Sequence, residues 1–171
     1  MNGRRRCALS TDDLGFFFDA LHTQVAENAR LVAVHHVGGD DEHAPGGDEG
    51  KRVRDIAKKL AEHGVLKACV PASAGGIKTR DDSQIDVRAV CLVREALGWS
   101  SGLADTTFAM QGLGSYPIVL AGDDAQRARW LPGVIDGTTL AAFAITEPEA
   151  GSDVASMSTT ARRDGDHWVI D

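Results

Sequence analysis

The stretch Ala142-Phe143-Ala144-Ile145-Thr146-Glu147-Pro148-Glu149-Ala150-Gly151-Ser152-Asp153-Val154 decides how the rest of the chain is read. It opens as a short apolar run, which predicts a buried strand. It then turns at Glu147-Pro148, becomes small at Ala150-Gly151-Ser152 and closes on Asp153. Pro148 removes one backbone donor and biases Glu147 toward an extended conformation. Gly151 lets the main chain approach a bulky group. Thr146 and Ser152 add hydroxyls, each able to donate and to accept hydrogen bonds. A strand end with free amides, a glycine and two hydroxyls suits a polar heteroaromatic ring and a phosphate, and composition alone leaves the ligand open.

Working outward, the chain of 171 residues is 43% hydrophobic and 25% charged, which is long enough for one real core. A formal net charge of −7 and a pI of about 5.3 argue against nucleic acid, because phosphate contacts need a basic face. No apolar run approaches the ~18 residues of a membrane span. The three cysteines, Cys7, Cys69 and Cys91, lack metal-ligand spacing. They fit a reduced, cytoplasmic setting, with Cys91 expected in the core on the apolar face of a helix. The arginines of Met1 to Arg6 precede no long apolar segment, so residues 1–10 read as a flexible basic tail.

The order of elements is helices first and strands late. Ser10 and Asp13 have capping-box spacing, and Leu14, Phe17, Phe18, Leu21, Val25 and Val32 recur at helical intervals. This predicts a helix from about residue 11 to 35, its aromatic stripe packed in the core. His35-His36 suits the cation-favouring C-terminus of that helix better than a metal pair, because adjacent helical residues point apart. Gly38 to Gly50 reads as a polar surface loop, and its Asp40, Asp41, Glu42 and His43 lack calcium-loop spacing. No metal site is expected. Val53, Ile56, Ala57 and Leu60 mark a second helix that Gly64 stops. Val87, Val90, Cys91 and Leu97 mark a third, begun near Asp86 and broken at Trp99 to Gly102. Leu103 to Leu113 reads as a buried helix, with Gly114 and Pro117 as punctuation after it. Asp123 and Gln126 form a capping box for a helix ending near Pro132. Asp164-Gly165 between Ser158–Arg163 and His167–Asp171 is a hairpin signal. The fold class is therefore α+β, a mostly helical N-terminal domain at 11–137 followed by the first strands of an incomplete antiparallel β domain at 138–171.

The central stretch resembles the flavin-binding signature of the acyl-CoA dehydrogenase family, aromatic-x-x-Thr-Glu-Pro-x-Ala-Gly-Ser-Asp. Phe143 takes the aromatic place, and Thr146 to Pro148 and Ala150 to Asp153 match in register. Gly122-x-x-x-Gln126, Trp130-Leu131-Pro132 and Gly137 are similar to the family pattern just ahead of it. The resemblance implies FAD as cofactor, an acyl-CoA thioester as substrate and a homo-oligomeric full-length enzyme. It implies that Phe143 packs at the flavin ring and that Ile145 and Thr146 face its pyrimidine edge. Gly151 and Ser152 would meet the pyrophosphate, with Ser152 also near the substrate thioester. Phe108 and Met110 fall where an acyl chain would pass, although a core role explains them equally well. The family's catalytic base lies in a C-terminal bundle, so no catalytic residue is assigned here, and Glu147 and Asp153 are read as structural.

Two functional readings follow. One is the N-terminal portion of an FAD-dependent acyl-CoA dehydrogenase, inactive alone, with acyl-CoA oxidase and nitroalkane oxidase as sister chemistries. The other is a non-catalytic interaction module, or half of a split flavoprotein completed by another chain.

Overall fold

The computed structural model describes residues 7–38 and 48–171. The arginines of the basic tail and the acidic cluster at 40–43 lie outside the described residues. Six α-helices come first: α1 (Ser10–Asp13), α2 (Ala20–His35), α3 (Glu49–Glu62), α4 (Val87–Ser100), α5 (Gly102–Ala121) and α6 (Asp124–Ile135). A two-stranded antiparallel sheet, β1 (Ala161–Asp164) and β2 (His167–Ile170), ends the chain. The α+β order therefore holds. No described helix is long and apolar enough to cross a membrane.

Capping side chains start most of these helices. The Asp19, Asp48, Asp86, Ser101 and Asp123 side chains each accept from a first-turn amide. Gly64 follows α3 at φ 70°, a left-handed turn that glycine adopts without steric cost. Helix α5 is the central element, touching α3, α4, α6 and the 3₁₀ turn Val65–Cys69. Leu60, Leu66, Leu92, Leu97, Phe108 and Leu131 fill the core around it.

Several expectations are corrected. Residues 7–10 are not part of a tail, because Cys7 and Leu9 are buried and Glu95 accepts from the Ser10 amide and hydroxyl. The helix expected over 11–35 is interrupted. Leu14 leaves the helical region, a 3₁₀ turn covers Gly15–Phe17, and Asp19 starts α2 afresh by accepting from the Leu21 and His22 amides. The aromatic stripe consequently splits. Phe16 and Phe17 are 81% and 56% exposed, and only Phe18 reaches the core. The ring of His22 takes the buried place instead, between the Asp19 amide (3.2 Å from Nδ1) and the Asp86 carboxylate (3.1 Å from Nε2). Cys91 is exposed, whereas Cys69 is buried and its thiol is pushed up to about 12 by desolvation.

Helix α5 runs through Gly114 and Pro117 to Ala121, and α6 runs through Pro132 to Ile135. A proline removes a single helical bond; beyond Pro117 the partly buried Ile118 and Val119 pack against the core, and Leu131 and Val134 are buried around Pro132. The hairpin register pairs Asp164 with His167, with Gly165 at φ 59° in the turn.

Candidate functional site

Residues 142–146 belong to no helix or strand, so the buried strand expected there is corrected. An apolar run becomes a strand only when a neighbouring strand completes its ladder, and among the described residues none lies beside this one. Phe143 is 39% exposed as a result. The turn itself is tight. The Glu147 amide donates to the Ala150 carbonyl at 3.0 Å, and the Ala150 amide donates back to Glu147 at 3.2 Å. Two short arms therefore flank the turn: Phe143, Ile145 and Thr146 lie on the first, Gly151 and Ser152 on the second.

The polar groups on these arms are open. Thr146, Gly151 and Ser152 are exposed, and a Cβ on Gly151 would meet nothing within 4 Å. Among the described residues, neither the Thr146 nor the Ser152 hydroxyl has a hydrogen-bond partner. The same is true of the backbone amides of Ile145, Thr146, Gly151 and Ser152. Open donors on either side of a tight turn are what a heteroaromatic edge and a diphosphate require.

Glu147 and Asp153 of the stretch are engaged elsewhere. The Glu147 carboxylate accepts from the Ser158 amide at 2.8 Å, the Ser158 hydroxyl at 2.9 Å and the Thr159 amide at 2.9 Å. Hydrogen bonds from Thr159 and Ser158 draw its pKa down to about 2. Asp153 accepts from the Ser156 hydroxyl at 2.6 Å at the head of the 3₁₀ turn Val154–Ser156. Both carboxylates tie the chain to itself.

A second feature lies between α4 and α5. An apolar groove of about 560 Å³ is lined by Val87, Val90, Phe108, Met110, Leu113 and Tyr116, with Arg94 and Gln84 among its polar lining. Phe108 is buried in the core and also lines the groove. None of residues 142–154 lines the groove.

One residue of the site was not legible in the sequence. Gln111 of α5 is 1% exposed and contacts the segment leading into the signature. A lone glutamine in an apolar helix is the single hint that the sequence offers for it.

Known proteins are similar to this chain. The family model for the N-terminal domain of acyl-CoA dehydrogenase matches residues 20–138. A 3-(aryl)acrylate reductase of Clostridium sporogenes is 31% identical over 159 residues, which are 90% of this chain and 39% of the relative. The mitochondrial isovaleryl-CoA dehydrogenase of Bos taurus is 29% identical over 168 residues, 98% of this chain and 38% of that protein. The crystal structure of an acyl-CoA dehydrogenase complexed with FAD from Bacillus anthracis superposes with a TM-score of 0.68 at 30% identity, covering 90% of this chain and 26% of that one. The chain belongs to the acyl-CoA dehydrogenase family. It spans about two-fifths of the length of these curated relatives.

Proposed function

We propose that this chain supplies the helical wall and the flavin-holding turn of an FAD-dependent acyl-CoA dehydrogenase. The observation that carries this is the open set of donors on the two arms of the 147–150 turn. Bound FAD would contribute a ring that accepts hydride from the acyl β-carbon. The chain's own residues bind and orient. The Ile145 and Thr146 amides and the Thr146 hydroxyl meet the pyrimidine edge, where donors stabilise negative charge on the ring. Gly151 and Ser152 meet the pyrophosphate. Phe143 covers the ring, and the groove at Phe108 and Met110 takes the acyl chain. Neither Glu147 nor Asp153 is available as base, because they are held by Ser158, Thr159 and Ser156. The base and the rest of the flavin pocket come from a further segment, which makes this chain inactive by itself.

The test is direct. The purified chain is expected to retain no stoichiometric flavin and to reduce no dye acceptor with acyl-CoAs. Adding a polypeptide that carries the family's remaining β and helical segments is expected to restore a flavin spectrum. Thr146→Val with Ser152→Ala is expected to weaken FAD retention in that assembly. A completed assembly that stays colourless would overturn the reading.

A further inference from the structure

The stretch leading into the signature has no sheet to hold it, yet it leaves α6 on a defined path. Gln111 accounts for this. Its Nε2 donates to the Val134 carbonyl at 3.1 Å and to the Thr139 carbonyl at 2.9 Å. Its Oε1 accepts from the Ala141 amide at 2.6 Å. One carboxamide therefore ties the last turn of α6, the connecting loop and Ala141, just before the signature, to α5. A neutral amide is the side chain suited to the place, because two carbonyls need donors and one amide needs an acceptor. One turn further along α5, Gly114 is so close to the strap that an added Cβ would lie 2.6 Å from the Ala142 carbonyl oxygen. The same helix presents Thr106, Met110 and Leu113 to the apolar groove.

We infer that Gln111 is a positioning residue: it sets the place of the flavin-holding turn relative to the groove by clamping residues 134–141 onto α5. Its functional meaning rests on the proposed flavin role of 142–153, but the clamp itself can be tested without flavin.

Gln111→Glu is the discriminating substitution, since it preserves shape. Ionised, the carboxylate keeps an acceptor for Ala141 but offers no donor to the Val134 and Thr139 carbonyls. Protonated, it regains one donor, and burial beside two carbonyls favours the protonated form. Amide exchange at Thr139 and Ala141 is compared with the wild-type chain at matched pH. Q111E is expected to exchange at these sites about tenfold faster near pH ~8, with α3 and α4 unchanged. The excess is expected to shrink toward pH ~5, as the acid form restores a bond. Gly114→Ala loosens the same seam sterically and is expected to show no such pH rescue. Equal exchange in Q111E and wild type at every pH, or a loss spread evenly over α3 and α4, would overturn the clamp. If Q111E does not fold, the wild-type chain decides. The Gln111 side-chain NH₂ protons are expected to exchange far more slowly than those of a solvent-exposed glutamine, and solvent-rate exchange overturns the clamp. In the assembly completed with the family's remaining β and helical segments, FAD that protects 145–152 of the wild-type chain but not of Q111E at high pH supports positioning. FAD without effect on the wild-type assembly counts against the flavin reading alone, and the exchange pattern still judges the clamp.

Discussion

The helical body and the segment after α6 spend their polar groups in opposite ways. In the body, the aspartates and serine that cap helices are consumed by first-turn amides, and Leu60, Leu66, Leu97, Ala29 and Ala57 are fully enclosed. In residues 142–171, hydroxyls and amides at 146, 151 and 152 stay open, and Trp168 is 68% exposed on the hairpin. The body is held by apolar enclosure distributed over many residues. The turn of the segment is held by polar contacts: Gln111 on Ala141 just before it, the mutual Glu147–Ala150 bonds, the Glu147 carboxylate on Ser158 and Thr159, and Asp153 on Ser156. A region held at few points keeps its remaining donors free for something else, which is the condition for binding.

Substitution should separate the two regimes. Leu60 is fully buried where α3 meets the core. Leu60→Ala is expected to lower the unfolding free energy by about 2–5 kcal/mol in urea titrations, because the lost burial is followed by a cavity. A loss well under ~1 kcal/mol would remove the contrast, since the body would then be as loosely held as the segment. Asp123→Ala removes the α6 cap, in which the Asp123 carboxylate accepts from Gln126 at 2.7 Å. It is expected to cost about 1 kcal/mol by the same measurement.

The smallest expected effect on the global fold comes from Glu147. Its folded pKa is depressed to about 2, so its tether is complete above the ordinary glutamate value and is lost as pH falls toward 2. Carboxyl NMR should place its midpoint near 2, with the Ser158 and Thr159 amide shifts moving together and helical circular dichroism unchanged at that step. A midpoint near the ordinary glutamate value would mean that the turn is not tied to 158–159.

Periodicity and capping chemistry made much of the body legible in advance. Asp86, Asp123, Gly64 and the Asp164-Gly165 turn act locally, through atoms two to four residues away, and the structure uses each as its residue type predicts. The errors fell where a long-range contact outweighed a local signal. Proline and glycine in α5 and α6 suggested ends, but Ile118 and Val119 pack against the core beyond Pro117 and Val134 is buried beyond Pro132. Phe17 had helical spacing with its neighbours, but a fresh cap at Asp19 changed the phase and turned it outward. Cys91 fell off the core face for a related reason: α4 buries Ala89, Leu92, Val93, Ala96 and Leu97 instead.

The sequence by itself determined the family, the order of helices before strands and the identity of the signature residues, because each of these is written in short, contiguous patterns. Only the tertiary structure decided that the apolar run at 142–146 would stand exposed and unpaired. It alone decided that Glu147 would be tied down by residues eleven and twelve positions later, and that Gln111 would hold the strap from thirty positions earlier. Hydrogen bonds across such separations depend on where packing brings the chain, and no local pattern encodes that meeting.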